Sequence, residues 1–132
     1  MIQPSQNAAP EIVCLVDDDS AVLKSIERLL ASDGLAARSF DKPKDFLAHV
    51  HTNAVPLVVL DLLMKEMTGL EVQAQISALS PSTRVIVITG QEDPKMEAAV
   101  RRAGAIAFFR KPFDDGDFLG AVRAALACKC TE

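Results

Sequence analysis

A chain of 132 residues is one domain by length, long enough to bury a core without disulfides or metals to staple it. Its net charge of -4 leaves no basic footprint for nucleic acid, and no apolar stretch approaches the ~20 residues of a membrane span. The opening MIQPSQNAAP lacks the basic and apolar regions of a secretory signal, and three scattered cysteines make no disulfide framework, so a cytoplasmic location is expected.

Residues 1–10, with two prolines, amides and alanines, read as a flexible tail. Ile12–Val16 is a continuous apolar run, the signature of a strand buried on both faces, and Cys14 within it reads as a small buried hydrophobe. Asp19 and Ser20 offer N-cap chemistry for a helix over about 20–32, whose Val22, Leu23, Ile26, Leu29 and Leu30 form one apolar stripe. Gly34 suits the left-handed position that ends it.

Leu35–Phe40 is a more polar second strand, expected at a sheet edge. Asp41 is a candidate cap for the next helix, in which Phe46, Leu47 and Val50 face inward and His49 and His51 fall at an exposed end. Leu57–Leu60 is the third strand, and Gly69 opens a helix to about Leu79 with Leu70, Val72 and Ile76 as its contacts. Strand four spans Arg84–Ile88. Asp93 and Pro94 start a helix with Met96, Ala99, Val100 and Ala103 inside, stopped by Gly104. Ala105–Phe109 is strand five. The last helix begins near Asp114 and turns Phe118, Leu119, Val122 and Leu126 inward. Residues 128–132 read as a second tail, and Cys128 and Cys130 lack the second ligand pair of a zinc site.

Five alternations of strand and helix imply an α/β fold with a doubly wound parallel sheet. Right-handed crossovers and strands of this length suit the flavodoxin-like order 2-1-3-4-5, in which ligands bind beyond the carboxyl ends of the strands. Four strand ends then carry polar chemistry to one edge: Asp17, Asp18 and Asp19 after the first, Asp61 after the third, Thr89 after the fourth, and Lys111 beyond the fifth. Each residue alone has a plain alternative as a cap or turn. Asp19 reads as the helix cap. The conjunction of four strand ends is what carries the functional reading.

Two carboxylates about 4 Å apart repel by roughly 4 kcal/mol at an effective dielectric of 20. Protonation, a cation or a metal must relieve that repulsion, and hard oxygen ligands suit Mg²⁺, which also shares ligands with phosphate. A carboxylate can itself attack phosphorus to give an aspartyl-phosphate. Mg²⁺ and Lys111 would then neutralise the phosphoryl oxygens, and the Thr89 hydroxyl would donate to one of them.

LVDDD, VVLDLLMKEMTGLE, ITG and FFRKPF together resemble the receiver domain of two-component response regulators, over about residues 11–127. The resemblance implies Asp61 as phosphoacceptor, charged by a phosphohistidine of a sensor histidine kinase or phosphotransfer protein. It also implies Asp17 and Asp18 as the Mg²⁺ pocket, with Asp61 and the backbone carbonyl of Leu63 as further ligands. Thr89 and Lys111 would contact the phosphoryl group, Phe108 would switch rotamer with Thr89, and the Lys111–Pro112 bond would be cis. Such a domain signals rather than turning over a substrate. It acts through a homodimer on the face of the fourth helix, fifth strand and fifth helix, or through an output domain or target protein.

Two departures stand out. The family's usual Met-Pro reads Met64-Lys65 here, which loosens the loop and adds a cation, and strand five carries phenylalanine where many relatives have tyrosine. Two rival readings also fit parts of the pattern. A haloacid-dehalogenase-like phosphatase shares the Asp-x-Asp after the first strand, but requires a further acidic pair beyond the lysine. A flavodoxin-like interaction or flavin module would lack Trp and Tyr for stacking.

Overall fold

Val13–Val16 and Leu57–Leu60 are apolar at every position, so their strands need cover on both faces, and the fold supplies it. The computed structural model describes residues 11–127. Its strands are Ile12–Val16 (β1), Ala36–Phe40 (β2), Leu57–Asp61 (β3), Arg84–Thr89 (β4) and Ala107–Arg110 (β5). Its helices are Ser20–Ser32 (α1), Pro43–Thr52 (α2), Gly69–Leu79 (α3), Pro94–Arg102 (α4) and Asp115–Ala127 (α5). The five strands are parallel and lie in the order β2-β1-β3-β4-β5, as expected. The tails at 1–10 and 128–132, with Cys128 and Cys130, lie outside the described residues.

Strand alternation divides the core in two. Val13, Leu15, Leu57, Val59, Ile86 and Ile88 pack against α1 and α5 through Leu23, Ile26, Leu30, Phe118 and Val122. Cys14, Val16, Val58, Leu60, Val85 and Val87 pack against α2, α3 and α4 through Phe46, Val50, Val72, Ile76 and Val100. Cys14 is the small buried hydrophobe anticipated, and burial pushes its thiol up to about 11. The more polar β2 sits at an edge. Gly34 takes the positive φ, 76°, that ends α1.

Several local expectations are corrected. Strand five starts at Ala107 rather than Ala105, because Ala105 is committed to closing α4. Its N–H donates to the Val100 carbonyl (3.0 Å) while Gly104 turns through φ 111°. The same strand runs on to Arg110, and β4 extends to include Thr89. Ala103 is exposed, and Val100 is the one fully buried residue of α4, with Met96 and Ala99 half-buried. Pro43 occupies the first turn of α2, which makes Lys42 the cap instead of Asp41, and no side chain caps that end. His49 is half-buried against the Phe40 ring (5.2 Å between centroids), because the edge strand leaves that ring uncovered; His51 is exposed.

Register then decides what meets at the carboxyl edge. Val16 pairs with Leu60, so Asp17 comes level with Asp61 on the adjacent strand. Thr89 pairs with Arg110, and the Lys111 N–H donates to the Thr89 carbonyl (2.7 Å), which fixes Lys111 beside β4.

Candidate functional site

Asp17 and Asp61 close β1 and β3 and are both buried, at 1% and 6% exposure, whereas Asp18 one residue on is exposed. Their carboxylates offer ligand oxygens that all lie within 4.8 Å of one another. Asp17 Oδ1 accepts from the Asp19 N–H (2.9 Å), and Asp18 Oδ2 accepts from the Lys65 N–H (2.9 Å). The Leu63 backbone N–H favours the charged form of Asp61. Lys111 Nζ lies 3.5 Å from Asp17 Oδ2 and 3.8 Å from Asp61 Oδ1.

One ammonium does not balance three carboxylates. Burial pushes the Asp61 carboxyl up to about 6; Asp17 and Asp18 push the same way, against the pull of Lys111 and the Leu63 N–H. Burial also raises Asp17, more than the Asp19 N–H and Lys111 lower it. An all-oxygen donor set with surplus negative charge fits a small hard divalent cation.

Asp19 caps α1 as expected, its Oδ1 accepting from Ala21 (2.9 Å) and Val22 (3.4 Å). It has a second task that the sequence did not reveal, since its own N–H holds Asp17.

Thr89 is buried, and its Oγ1 accepts from the Gln91 N–H (3.2 Å), at the start of the loop into α4. Phe108 is half-buried against the core on the α2–α4 side, with the Arg101 guanidinium of α4 6.0 Å from its ring centroid. Strand alternation puts Thr89 on that same side, through Val87. The Lys111–Pro112 bond is cis. Neither His49 nor His51 belongs to the acidic group.

Gly69 matters more than a helix opener. Its N–H donates to the Leu62 carbonyl (2.8 Å), and a Cβ there would come 2.9 Å from the Asp61 carbonyl oxygen. Only glycine lets α3 pack so close behind Asp61. Thr68 and Glu71 form a reciprocal capping box over that end of the helix. Thr-x-x-Glu is the sequence signature of such a cap, which the expectation of Gly69 alone as helix opener missed, whereas the Lys65 N–H donor left no trace in the sequence. Leu63 itself turns an exposed side chain to solvent, at 44%.

The family model for the response regulator receiver domain matches residues 13–123. The chain belongs to this family. The receiver domain is 40% identical over 115 residues to the response regulator protein TodT of Pseudomonas putida, covering 87% of this chain and 51% of TodT. It superposes on the crystal structure of FixJ-N with a TM-score of 0.85 at 30% identity, covering 95% of this chain and all of that one. It also matches the BeF3-activated DrrB receiver domain with a TM-score of 0.81 at 28% identity, over 90% of this chain and 99% of that one. The chain spans about half the length of the curated relatives it matches. This receiver domain is a signalling module, which sets aside the phosphatase and flavin readings. No described helix is long and apolar enough to cross a membrane.

Proposed function

We propose that residues 11–127 form a receiver unit in which Asp61 accepts a phosphoryl group from a phosphohistidine on a sensor histidine kinase or phosphotransfer protein. The observation that carries the reading is the cluster itself: three carboxylates with ligand oxygens within 4.8 Å, and Lys111 3.8 Å from Asp61. Asp17, Asp18 and Asp61, with the Leu63 backbone carbonyl, would hold Mg²⁺. Bound there, Mg²⁺ supplies charge neutralisation for the phosphoryl oxygens.

An ionised Asp61 oxygen attacks phosphorus. The O–P bond forms as the P–N bond breaks, and the histidine nitrogen keeps the electron pair and takes a proton from solvent. Lys111 already faces Asp61, so it can follow the transferred charge onto the new oxygens. Thr89 Oγ1 accepts from the Gln91 N–H, which leaves its O–H to donate there, and turning the hydroxyl toward the phosphoryl group disturbs that contact at the start of the loop into α4. Contacts made only in that arrangement shift the population toward it. Phe108, packed under α4, passes the change to the α4–β5–α5 face, where a second copy, an output domain or a target protein reads it. A cytoplasmic location goes with this role.

Incubation with a sensor kinase carrying radiolabelled phosphohistidine tests the reading. Label is expected to pass to the chain in a form cleaved by hydroxylamine, as an acyl phosphate is, and to be lost in Asp61→Asn. Label retained in Asp61→Asn would overturn it.

A further inference from the structure

Two of the three carboxylates are held by burial, and the third is not. Asp17 and Asp61 sit in the sheet edge, while Asp18 is exposed and free to rotate unless something fixes it. The Lys65 backbone N–H, 47 residues away in sequence, donates to Asp18 Oδ2 at 2.9 Å. We propose that this N–H is a positioning group for the cation pocket, fixing the Asp18 carboxylate and leaving its remaining lone pairs to the ion. The inference rests on the Mg²⁺ reading given above.

The pocket is built on a repeated device. Asp17 takes an N–H from Asp19, and Asp18 takes an N–H from Lys65. An N–H donated to a carboxylate is a charge-assisted bond, stronger than a neutral one. It removes rotamer freedom from the ligand before the cation arrives, so less is lost on binding. The loop that carries Lys65 is itself anchored by the Gly69 N–H on the Leu62 carbonyl and by the Thr68–Glu71 capping box. Donor and acceptor thus stand on two separately fixed segments.

The residue type at 65 decides whether the device exists. Proline has no N–H, so the Met-Pro form of this loop has no donor at that position. Lysine in its place is usually read through its charge, and the geometry gives the role to its backbone. The two contributions have opposite signs: the positive charge that lysine brings to this loop disfavours a second cation, and the N–H favours it through Asp18.

Mg²⁺ titration followed by amide NMR separates them. Lys65→Ala keeps the N–H and drops the charge, and its Kd should stay within about twofold of the parent or tighten. Lys65→Pro removes the N–H and should weaken binding about fivefold, the equivalent of one net hydrogen bond. An amide-to-ester exchange at position 65 deletes the same N–H with the side chain intact, and guards against distortion by the proline ring. In an Asp18→Ala background neither change should weaken binding further. In metal-free protein the Lys65 amide should exchange with solvent faster in Asp18→Ala than in the parent.

Parent affinity in both the proline and ester forms overturns the proposal, as does Lys65→Ala weakening binding as much as Lys65→Pro. Unchanged exchange of the Lys65 amide in Asp18→Ala overturns it as well. A parent protein that binds no Mg²⁺ would instead remove the pocket reading on which the proposal stands.

Discussion

Asp61 is a buried acid placed beside two others, and that placement costs stability when the carboxyl ionises. Its folded value of about 6 lies above the ordinary 3.8, so its favourable contribution is present below about pH 4 and lost as pH rises through 6. In metal-free protein Asp61→Asn should therefore be more stable than the parent at pH 7.5, by on the order of 2 kcal/mol, with the gain vanishing near pH 4. Urea unfolding at the two pH values measures this; equal gains at both would contradict the electrostatic account. That Asp17, Asp18, Asp61 and Lys111 meet at one edge, with Thr89 ending the next strand, was legible in the sequence, because each follows an apolar run and strand order brings run ends together. The Lys65 and Asp19 N–H donors were not, since any residue but proline carries that group and only loop geometry aims it.

Among the elements, α3 is the one whose placement bears most directly on Asp61. A Cβ on Gly69 would come 2.9 Å from the Asp61 carbonyl oxygen and 3.1 Å from the Leu62 Cα, both backbone atoms that cannot rotate away. Gly69→Ala should lower stability by about 2 kcal/mol and slow phosphorylation, because the strain falls on the strand end that carries the acceptor. Unaltered phosphorylation kinetics in that variant would separate α3 packing from the site. The α3 stripe also held a surprise: Gln73 is 2% exposed and its Nε2 donates to the Val100 carbonyl (3.1 Å), tying α3 to the last turn of α4. A periodicity argument ranks glutamine as solvent-facing, so Leu70, Val72 and Ile76 were legible and Gln73 was not. The start of β5 was misplaced for a related reason, since a small apolar residue such as Ala105 serves a helix end as readily as a strand. Movement at Thr89 should reach α4 through Phe108, whose ring centroid lies 6.0 Å from the Arg101 guanidinium in the last turn of that helix. Phe108→Ala should leave beryllofluoride binding at Asp61 in place while sharply reducing the accompanying amide shifts in α4. Full-sized shifts there would exclude Phe108 as the link.

At the scale of the whole molecule, the sheet order is what turns scattered residues into a site. Asp17 and Asp61 are 44 positions apart, the difference of their numbers, and become neighbours only because β3 pairs with β1. Covering helices on both faces bury the strands, and the carboxyl edge brings polar groups from several strand ends together. Fold and chemistry thus follow from one pattern, with Gly69 and the loop N–H donors refining where each oxygen points. The central claim, that this edge is a metal-assisted phosphoacceptor site centred on Asp61, is tested most directly by intact mass. The protein is treated with a small acyl phosphate, with Mg²⁺ or with a chelator, alongside Asp61→Asn. The account predicts a gain of one phosphoryl group in the parent with Mg²⁺, and none with chelator or in Asp61→Asn. The same gain in Asp61→Asn, or in the parent without a divalent cation, would contradict it.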